Sequence, residues 1–214
     1  MGANRPIRDI YNELQLHLLR DTAPSDYINQ LATEPEFKQY PFRMLLKLKE
    51  TEQSPKYHPE GSVWNHTMLV VDEAAQVREI CKEPVVFMWA ALLHDIGKSD
   101  TTRNRKGKIT SYEHDMAGAL LAEEFLKAFH EEEYIARVSA LVKYHMHMLY
   151  ILKNLPYGNP EGMLTETDPE ELALFCRCDR MGRLCVNREE EEKNYQDFLT
   201  EIGKKSKKYA AGFR

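Results

Sequence analysis

The chain has 214 residues, with 34 acidic and 29 basic side chains, a formal net charge of −5 and a hydrophobic fraction of 43%. This composition allows a buried core and excludes a disordered or fibrous protein, and the mild acidity excludes tight binding of duplex DNA by a globally basic surface. No apolar run approaches the roughly 18 residues that a membrane span needs. The N-terminal segment also lacks the apolar core of a signal peptide. We therefore expect a cytoplasmic protein that does not enter a membrane.

Apolar residues recur at intervals of three and four along nearly the whole chain, which predicts an all-α fold. In chain order, helices are expected over about residues 7–18, 25–31, 42–48, 62–81, 84–97, 114–129, 131–145, 169–181 and 187–202. Ser25, Ser62 and Asp168 are placed to cap the helices that follow them, and Pro84 and Pro169 suit first turns. Loops are expected over 51–62, 98–108 and 156–162, and the basic tail after residue 202 is expected to fray. No alternation of period two predicts a strand.

The four cysteines do not form the framework of a disulfide-rich protein at this chain length. Cys176, Cys178 and Cys185 cluster in the segment FCRCDRMGRLC, and Cys81 lies far upstream. A thiolate metal site or a redox pair is one interpretation. The spacing lacks the two-residue separation of common zinc sites, so we predict reduced thiols on helices.

Several polar side chains lie on helix faces that are otherwise apolar. A single buried histidine is usually satisfied by a hydrogen bond, but each of these groups destabilises the fold by a few kcal/mol, roughly, if it has no partner. One shared metal ion would satisfy them all, since imidazole and carboxylate suit Zn, Mn, Fe or Ni. The residues in question are His66, His94, Asp95, His114, His145 and Asp179.

Five short segments occur in an order that is typical of a known family. They are HPEGSVWNHT (58–67), ALLHDIGK (91–98), YEHDMAG (112–118), VKYHMHM (142–148) and CDRMGR (178–183). With them the chain resembles the HD superfamily of metal-dependent phosphohydrolases, and most closely the HD domain of bacterial CCA-adding enzymes, which are tRNA nucleotidyltransferases. The likeness covers about residues 55–185 and implies an all-helical HD fold. No strand-rich region upstream corresponds to a nucleotidyltransferase domain, so tRNA end synthesis is not expected.

The resemblance implies a division of the chain and a role for each matching residue. Residues 1–50 are expected to be a helical appendage packed on the core, 51–186 the HD domain, and 187–214 a C-terminal helix with a basic tail. The core metal ligands implied by the likeness are His66, His94, Asp95 and Asp179. Asp95 is the carboxylate that bridges two metals in this family, and His114 and His145 complete a second metal site. We rank His145 above His147 as that ligand, and His58 is a minor candidate for a substrate contact.

The implied chemistry is hydrolysis of a phosphomonoester or phosphodiester by a water that one or two divalent ions activate. Mn, Fe, Ni, Co and Zn are the candidate metals, and Mg is a further one. The expected substrate is a small phosphorylated compound, first of all a nucleotide or a cyclic phosphodiester, and an RNA end and a homodimer are left open as partners. Asp95 and Lys98 are the predicted catalytic residues.

Four basic side chains are predicted to bind the substrate. Lys98 follows a glycine, Gly97, that is expected to be flexible, and so it can reach a phosphate. Arg103 and Lys106 lie in the basic loop, which is either simply solvated or a gate that attracts an anion. Arg183 follows Asp179 by four residues, and its spacing favours an ion pair with that carboxylate over a phosphate contact.

Two other functions remain as alternatives to hydrolysis. Some HD folds use the same ligands in a di-iron oxygenase, which oxygen consumption would distinguish. A catalytically silent nucleotide- or RNA-binding module is the second, and the complete set of ligands argues against it.

Overall fold

The computed structural model describes residues 5–212, with side chains described as far as residue 207. The first residues of the N-terminal segment and the last residues of the basic tail lie outside this part of the chain. The helices are α1 Ile7–Arg20, α2 Pro24–Leu31, α3 Arg43–Glu50, α4 Val63–Val77, α5 Pro84–Leu93, α6 Lys98–Thr101, α7 His114–Lys127, α8 Ile135–Tyr144, α9 His147–Leu152, α10 Pro160–Glu166, α11 Pro169–Met181 and α12 Arg188–Gly212. Single 3₁₀ turns at Pro35–Lys38 and Arg78–Ile80 lie between them. The predicted all-α fold is confirmed.

Two of the three predicted caps are correct. The hydroxyl of Ser62 accepts the Asn65 N–H at the start of α4, and the carboxylate of Asp168 accepts two backbone N–H groups of α11. The predicted cap at Ser25 is wrong. Helix α2 begins one residue earlier, at Pro24, and both the N–H and the hydroxyl of Ser25 bond Asp72 of α4 instead, at 3.0 and 2.6 Å.

The basic segment predicted as a loop contains a short hairpin. Strand β1 (Arg103–Arg105) pairs antiparallel with β2 (Lys108–Thr110), and Lys106 and Gly107 form the turn with φ of 54° and 81°. Positive φ at both central residues is the geometry of a two-residue hairpin turn. The strands have three residues each and Ile109 is their only apolar side chain, so no hydrophobic alternation exists from which to predict them.

Helix α5 occupies the centre of the core. Its residues from Val86 to Leu93 are all buried, and it packs against α1, α4, α8 and α11. A helix that is apolar on every side is stable in water only when other helices surround it. The residues that follow it, His94 and Asp95, are consequently delivered to the middle of the molecule, where they are 0% and 2% exposed.

The appendage and the C-terminal helix share this core. Buried side chains of α1, α2 and α3, together with Phe198 and Ile202 of α12, belong to one hydrophobic cluster with α4, α5, α8 and α11. The loop predicted over 156–162 is shorter in the structure, because α10 begins at Pro160 and Asn159 caps its first turn. Within the described residues no helix combines the length and apolar character needed to cross a bilayer.

All four cysteines are free, and Cys176 and Cys178 are buried in α11. Burial raises the pKa of the Cys176 thiol to about 12, and its Sγ donates to the backbone oxygen of His145 at 3.1 Å. A thiol that holds its proton is a poor metal ligand and a poor nucleophile. Cys176 and Cys178 are therefore a part of the core packing.

Candidate metal centre

Five helical segments bring six polar side chains to one point in the core. His66 is the fourth residue of α4 and Asp179 lies in the last turn of α11, while the other four lie at helix ends. Every one of them is at most 7% exposed. The six are His66, His94, Asp95, His114, His145 and Asp179.

The first group of ligand atoms is formed by His66, His94 and the two carboxylates. Nε2 of His66 lies 2.9 Å from Oδ1 of Asp179. Nε2 of His94 lies 3.3 Å from Oδ2 of Asp95 and 3.9 Å from Oδ1 of Asp179. His66, His94 and Asp179 each offer one atom within a space that would hold a metal ion.

The second group uses the other oxygen of the same aspartate. Oδ1 of Asp95 lies 3.5 Å from Nε2 of His114 and 3.8 Å from Nε2 of His145, and the two Nε2 atoms are 3.2 Å apart. Asp95 therefore presents one oxygen to each group. This is the arrangement that a carboxylate bridging two metal ions requires.

Backbone carbonyls orient three of the imidazoles. Nδ1 of His94, His114 and His145 donates to the carbonyl three residues earlier, at 2.9, 2.7 and 2.6 Å. A proton fixed on Nδ1 leaves the lone pair on Nε2, which then faces the carboxylates as a metal ligand does. Nε2 of His94 is buried and has no hydrogen-bond partner among the described residues. A buried nitrogen without a partner is unfavourable, and a bound metal removes that penalty, so the residues fit a metal.

Charge holds both carboxylates in the ionised form. Burial opposes ionisation, but Lys98 and His94 outweigh it and hold the pKa of Asp95 well below its usual range. For Asp179, Arg183 and the hydrogen bond from His66 have the same effect on the pKa. Both groups are thus ready to bind a cation at neutral pH.

Burial keeps the second pair of imidazoles neutral. It lowers the pKa of His114 to about 4, although Asp95 favours the charged form, and it lowers the pKa of His145 as well. For His66 burial acts in the same direction, but hydrogen bonds to Asp179 and Glu60 outweigh it and raise the pKa. Metal binding needs the neutral imidazole, so the protonation of His66 competes with the metal.

We predict that the metal-free protein loses stability as the pH falls from 6.5 towards 4. Burial lowers the pKa of His58 to about 3 and of His114 and His147 to about 4, so the unfolded chain binds these protons at a higher pH than the folded protein does. The free energy of unfolding therefore decreases through that window. His66, whose pKa is raised, opposes the change, because its stabilisation is fully present below pH 6.5. Urea unfolding in chelator at about pH 7.5 and about pH 5 should differ by roughly 2 kcal/mol or more.

The control for this experiment is His130→Gln. The side chain of His130 is 88% exposed. Its replacement should leave the difference between the two pH values unchanged. Equal stability of the unaltered protein at the two values would contradict the prediction.

A cavity of about 160 Å³ opens on the centre. Asp95, His114, His145 and Asp179 form part of its wall, while His66 is 0% exposed beneath them. The loop 51–62 forms one side of the cavity and strand β2 another. The further wall residues from these and neighbouring segments include Gln53, Ser54, Tyr57, His58, Lys98, Ile109, Thr110, Ser111, Met146 and Arg183.

Lys98 lies on the cavity wall but is not free. It is 7% exposed, and its Nζ lies 2.7 Å from Oδ2 of Asp95 and 3.1 Å from Oε1 of Gln53. The expectation of a flexible Gly97 is wrong. Its φ is −67°, and a Cβ added there would lie 2.1 Å from the backbone oxygen of His114. Glycine is needed at this position for the close approach of α7, which packs against the turn.

The other predicted substrate residues differ in their distance from the cavity. Arg103 and Lys106 are exposed on the hairpin and do not line the cavity. Arg183 does line it, with Nη2 3.6 Å from Oδ2 of Asp179 and a buried Nε that has no hydrogen-bond partner in the described chain. His147, ranked below His145, accepts the Asn159 N–H at 2.9 Å and takes no part in the metal groups found among the described residues.

The sequence reasoning did not single out Gln53, Glu60 or Thr110. Gln53 contacts Lys98, and Glu60 contacts both His58 and His66. Thr110 lines the cavity. Glu60 lies in the segment HPEGS, which is part of the resemblance to the HD superfamily, so its neighbours in the sequence could have pointed to it. The other two are ordinary polar residues of predicted loops.

Residues 63–184 match the HD domain family, which is more than half of the chain. The chain belongs to the HD domain family. This is a superfamily of metal-dependent phosphohydrolases, and the two groups of histidines and carboxylates around Asp95 are able to hold metal ions. The matched span lies inside the segment 51–186 that was predicted as the HD domain.

Relatives that carry the name Multifunctional CCA protein include the following three. The chain is 28% identical to that of Pseudomonas fluorescens over 144 residues, which cover 61% of this chain and 32% of the relative. It is 30% identical to that of Actinobacillus pleuropneumoniae over 143 residues, 62% of this chain and 33% of the relative. For Halorhodospira halophila the identity is 32% over 139 residues, 61% and 32% of the two chains. The similarity to the HD region of CCA-adding enzymes is confirmed, and it spans about a third of the length of these relatives.

Proposed function

We propose that this HD domain hydrolyses a phosphomonoester or phosphodiester bond in a nucleotide or a cyclic phosphodiester. His66, His94, Asp95 and Asp179 are the proposed ligands of one metal, and His114 and His145 complete a second site with Asp95. The single observation that carries the proposal is the placement of Asp95, whose two oxygens face the two imidazole groups at the base of one open cavity. The family is one of metal-dependent phosphohydrolases, which supports the same reaction.

The cavity wall offers groups that suit a phosphate. Nε of Arg183 and the hydroxyl of Thr110 are buried and have no hydrogen-bond partner among the described residues. Both residues line the cavity together with the ammonium of Lys98. A phosphoryl group brings several acceptor oxygens and a negative charge, so it pairs with donors of this kind. The proposed phosphate position thus lies between Arg183, Thr110 and the metal ligands.

A bound divalent metal supplies an activated water and polarises a phosphoryl oxygen. Asp95 presents one carboxylate oxygen to each ligand group and so fixes where the metal ions would bind. Without substrate, the ammonium of Lys98 pairs with the carboxylate of Asp95. Lys98 also lines the cavity, so its ammonium is able to turn towards a bound phosphate. Arg183 fixes the phosphate with its guanidinium, which also keeps Asp179 ionised.

A nucleotide is the proposed substrate class for two reasons. The relatives are named as CCA proteins, whose name refers to the nucleotides of a tRNA end. The cavity is small, and the exposed ring of Tyr57 stands on its wall, where a base outside the cavity is able to stack. The basic hairpin with Arg103 and Lys106 lies beside the opening and would attract an anion, including an RNA end.

The test is metal analysis of protein purified without chelator, followed by assays with Mn, Fe, Ni, Co, Zn and Mg. Substrates should include 2′,3′-cyclic nucleotides, nucleoside monophosphates and a generic phosphomonoester. Metal-dependent release of phosphate or ring opening supports the proposal. Oxygen consumption by the iron-loaded protein would support an oxygenase instead. Binding of nucleotide without turnover under every metal would indicate a silent module.

We predict that Lys98→Ala lowers kcat/KM roughly 10- to 150-fold. A charged hydrogen bond contributes about 1.5–3 kcal/mol, which corresponds to that range. The metal stays bound, because Lys98 contacts a ligand but is not one. The measurement is steady-state hydrolysis of a cyclic nucleotide at saturating metal, with metal content determined on the same sample.

The matched control is Lys127→Ala. This lysine is 60% exposed on α7 and pairs with Glu123, away from the cavity, so its loss should leave kcat/KM unchanged. If Lys98→Ala behaves like Lys127→Ala, Lys98 has no part in the reaction.

A further inference from the structure

Glu60 places one carboxylate oxygen between two histidines. Its side chain is 2% exposed, and Oε1 accepts a hydrogen bond from Nδ1 of His58 at 2.9 Å. The same oxygen lies 3.1 Å from Nδ1 of His66, one of the proposed metal ligands. A carboxylate here only accepts hydrogen bonds, so it fixes the tautomer of both rings.

The loop that carries Glu60 is itself held in place. Nδ2 of Asn65 donates to the backbone oxygen of Glu60 at 2.8 Å, and the next residue, Gly61, has a φ of 96°. A side chain at Gly61 would be strained at that φ. The N–H of Leu184, after α11, lies 3.4 Å from Oε2. The backbone of Glu60 is therefore bonded to α4, which supplies His66, and its carboxylate to the segment after α11, which supplies Asp179.

His66 needs such a partner more than the other imidazoles do. His94, His114 and His145 lie at helix ends and bond a backbone carbonyl through Nδ1. His66 lies inside α4, where the helix itself uses the backbone carbonyls. Glu60 supplies the acceptor that the helix cannot. In the metal-free protein Nε2 shares a proton with Asp179 at 2.9 Å. With Nδ1 directed at Glu60, 3.1 Å away, Nε2 would give up that proton and offer its lone pair when a metal binds.

His58 is held by the same oxygen but faces the cavity. Its side chain is 12% exposed, it lines the cavity wall, and its ring packs against that of His66 with centroids 4.6 Å apart. No residue in the described part of the chain bonds its Nε2. Because the N–H at Nδ1 donates its hydrogen bond to Glu60, Nε2 of His58 carries a lone pair and is a hydrogen-bond acceptor. A phosphate oxygen cannot pair with it, whereas a hydroxyl group of the substrate can.

We propose that Glu60 is a positioning residue that orients the metal ligand His66 and the cavity residue His58 through one carboxylate, and that His58 accepts a hydrogen bond from a substrate hydroxyl. The part that concerns His58 rests on the proposed function. The part that concerns His66 does not, since metal affinity is measured without turnover. For a nucleotide the hydroxyl is one of the ribose, so the ribose ring would face the loop 51–62 and the phosphate would face Arg183.

The test compares Glu60→Gln with Glu52→Gln, an exposed glutamate in the same loop. Affinity for Mn and for Zn is measured by chelator competition. Loss of a partner that orients a ligand typically weakens metal binding 10- to 100-fold, and that weakening is expected for Glu60→Gln alone. Unchanged metal affinity in Glu60→Gln would overturn the proposal. The proposal would also be overturned if the unaltered protein bound three metal ions and Glu60→Gln bound only two. His58, Glu60 and His66 would then be a metal site of their own.

A second variant separates the two histidines. His58→Asn should keep the metal affinity and raise KM about 3- to 10-fold with kcat little changed, as expected for a neutral hydrogen bond to the substrate. The rise should be absent with a substrate whose hydroxyl next to the phosphate is missing, such as a deoxyribonucleotide. An equal effect on both substrates would remove the role of His58 and leave that of Glu60. If Glu60→Gln does not fold, Glu60→Asp, which keeps the charge but withdraws the oxygen, takes its place with the same expected loss of affinity.

Discussion

Replacing Asp95 with alanine should abolish hydrolysis and empty both metal positions. Among the described residues, Asp95 is the one side chain that presents an oxygen to each imidazole group, at 3.3 Å from His94 and 3.5 Å from His114. Without it the second group has no carboxylate and the first keeps only that of Asp179, so both should bind a divalent ion much more weakly. We expect kcat/KM to fall roughly a thousand-fold or more. The metal ligands act as a unit, so removing one of them removes most of the rate enhancement of the whole set. The measurement is metal content per chain and hydrolysis of a cyclic nucleotide with metal added in excess.

The alanine variant also loses stability, which has to be separated from the loss of activity. It leaves the ammonium of Lys98 buried without its partner at 2.7 Å, and such a change destabilises by about 3–5 kcal/mol. Asp95→Asn keeps the shape of the side chain and should also be inactive. Asp100→Ala is the control, because Asp100 is 51% exposed and bonds Lys47 across the surface. Normal metal content and rate in Asp95→Asn would place the activity elsewhere.

Gly97→Ala should strongly destabilise the domain. The added Cβ would lie 2.1 Å from the oxygen of His114 and 2.4 Å from the nitrogen of Gly118. These are backbone atoms, so α7 as a whole has to move away from the turn that carries Asp95. We expect a loss of about 3 kcal/mol or more in the free energy of unfolding, at the upper end for overpacking. His114 begins α7, so the second metal position should weaken as well.

Gly203→Ala provides the matched control for this effect. Nothing lies within 4 Å of a Cβ added at Gly203, which is inside the long helix α12. Alanine there should stabilise the protein by up to about 1 kcal/mol, since glycine is unfavourable inside a helix. Urea unfolding of both variants, in chelator and with metal, checks the pair. Wild-type stability of Gly97→Ala would mean that α7 does not approach the turn as closely as 2.1 Å.

The sequence predicted most of what lies along a single helix. The three- and four-residue spacing of apolar side chains indicated the helices, and Ser62 and Asp168 indicated where two of them begin. The same spacing placed His66, His114, His145 and Asp179 on buried faces. That information is local, because a helix repeats every 3.6 residues, roughly, whatever packs against it.

The sequence did not contain the pairing of these side chains across the core. His66 and Asp179 are 113 residues apart in the chain and 2.9 Å apart in the structure. The period of α4 shows that His66 is buried, but it cannot show which helix supplies its partner. Only the packing of α5 among its neighbours decided that Asp95 would face two imidazole groups and that Lys98 would be buried beside it.

The same limit applies to the two residues whose roles the sequence missed or misread. Glu60 and Gly97 lie in short irregular segments, where no repeat indicates burial. Glu60 contributes because two histidines from different segments meet at one oxygen, and Gly97 because the start of α7 lies against it. Residue type and spacing determined that this chain is an all-α HD domain with buried metal-type ligands. The contacts between its helices decided how those ligands are held, because hydrogen bonds and close packing depend on distances in space and not on separation along the chain.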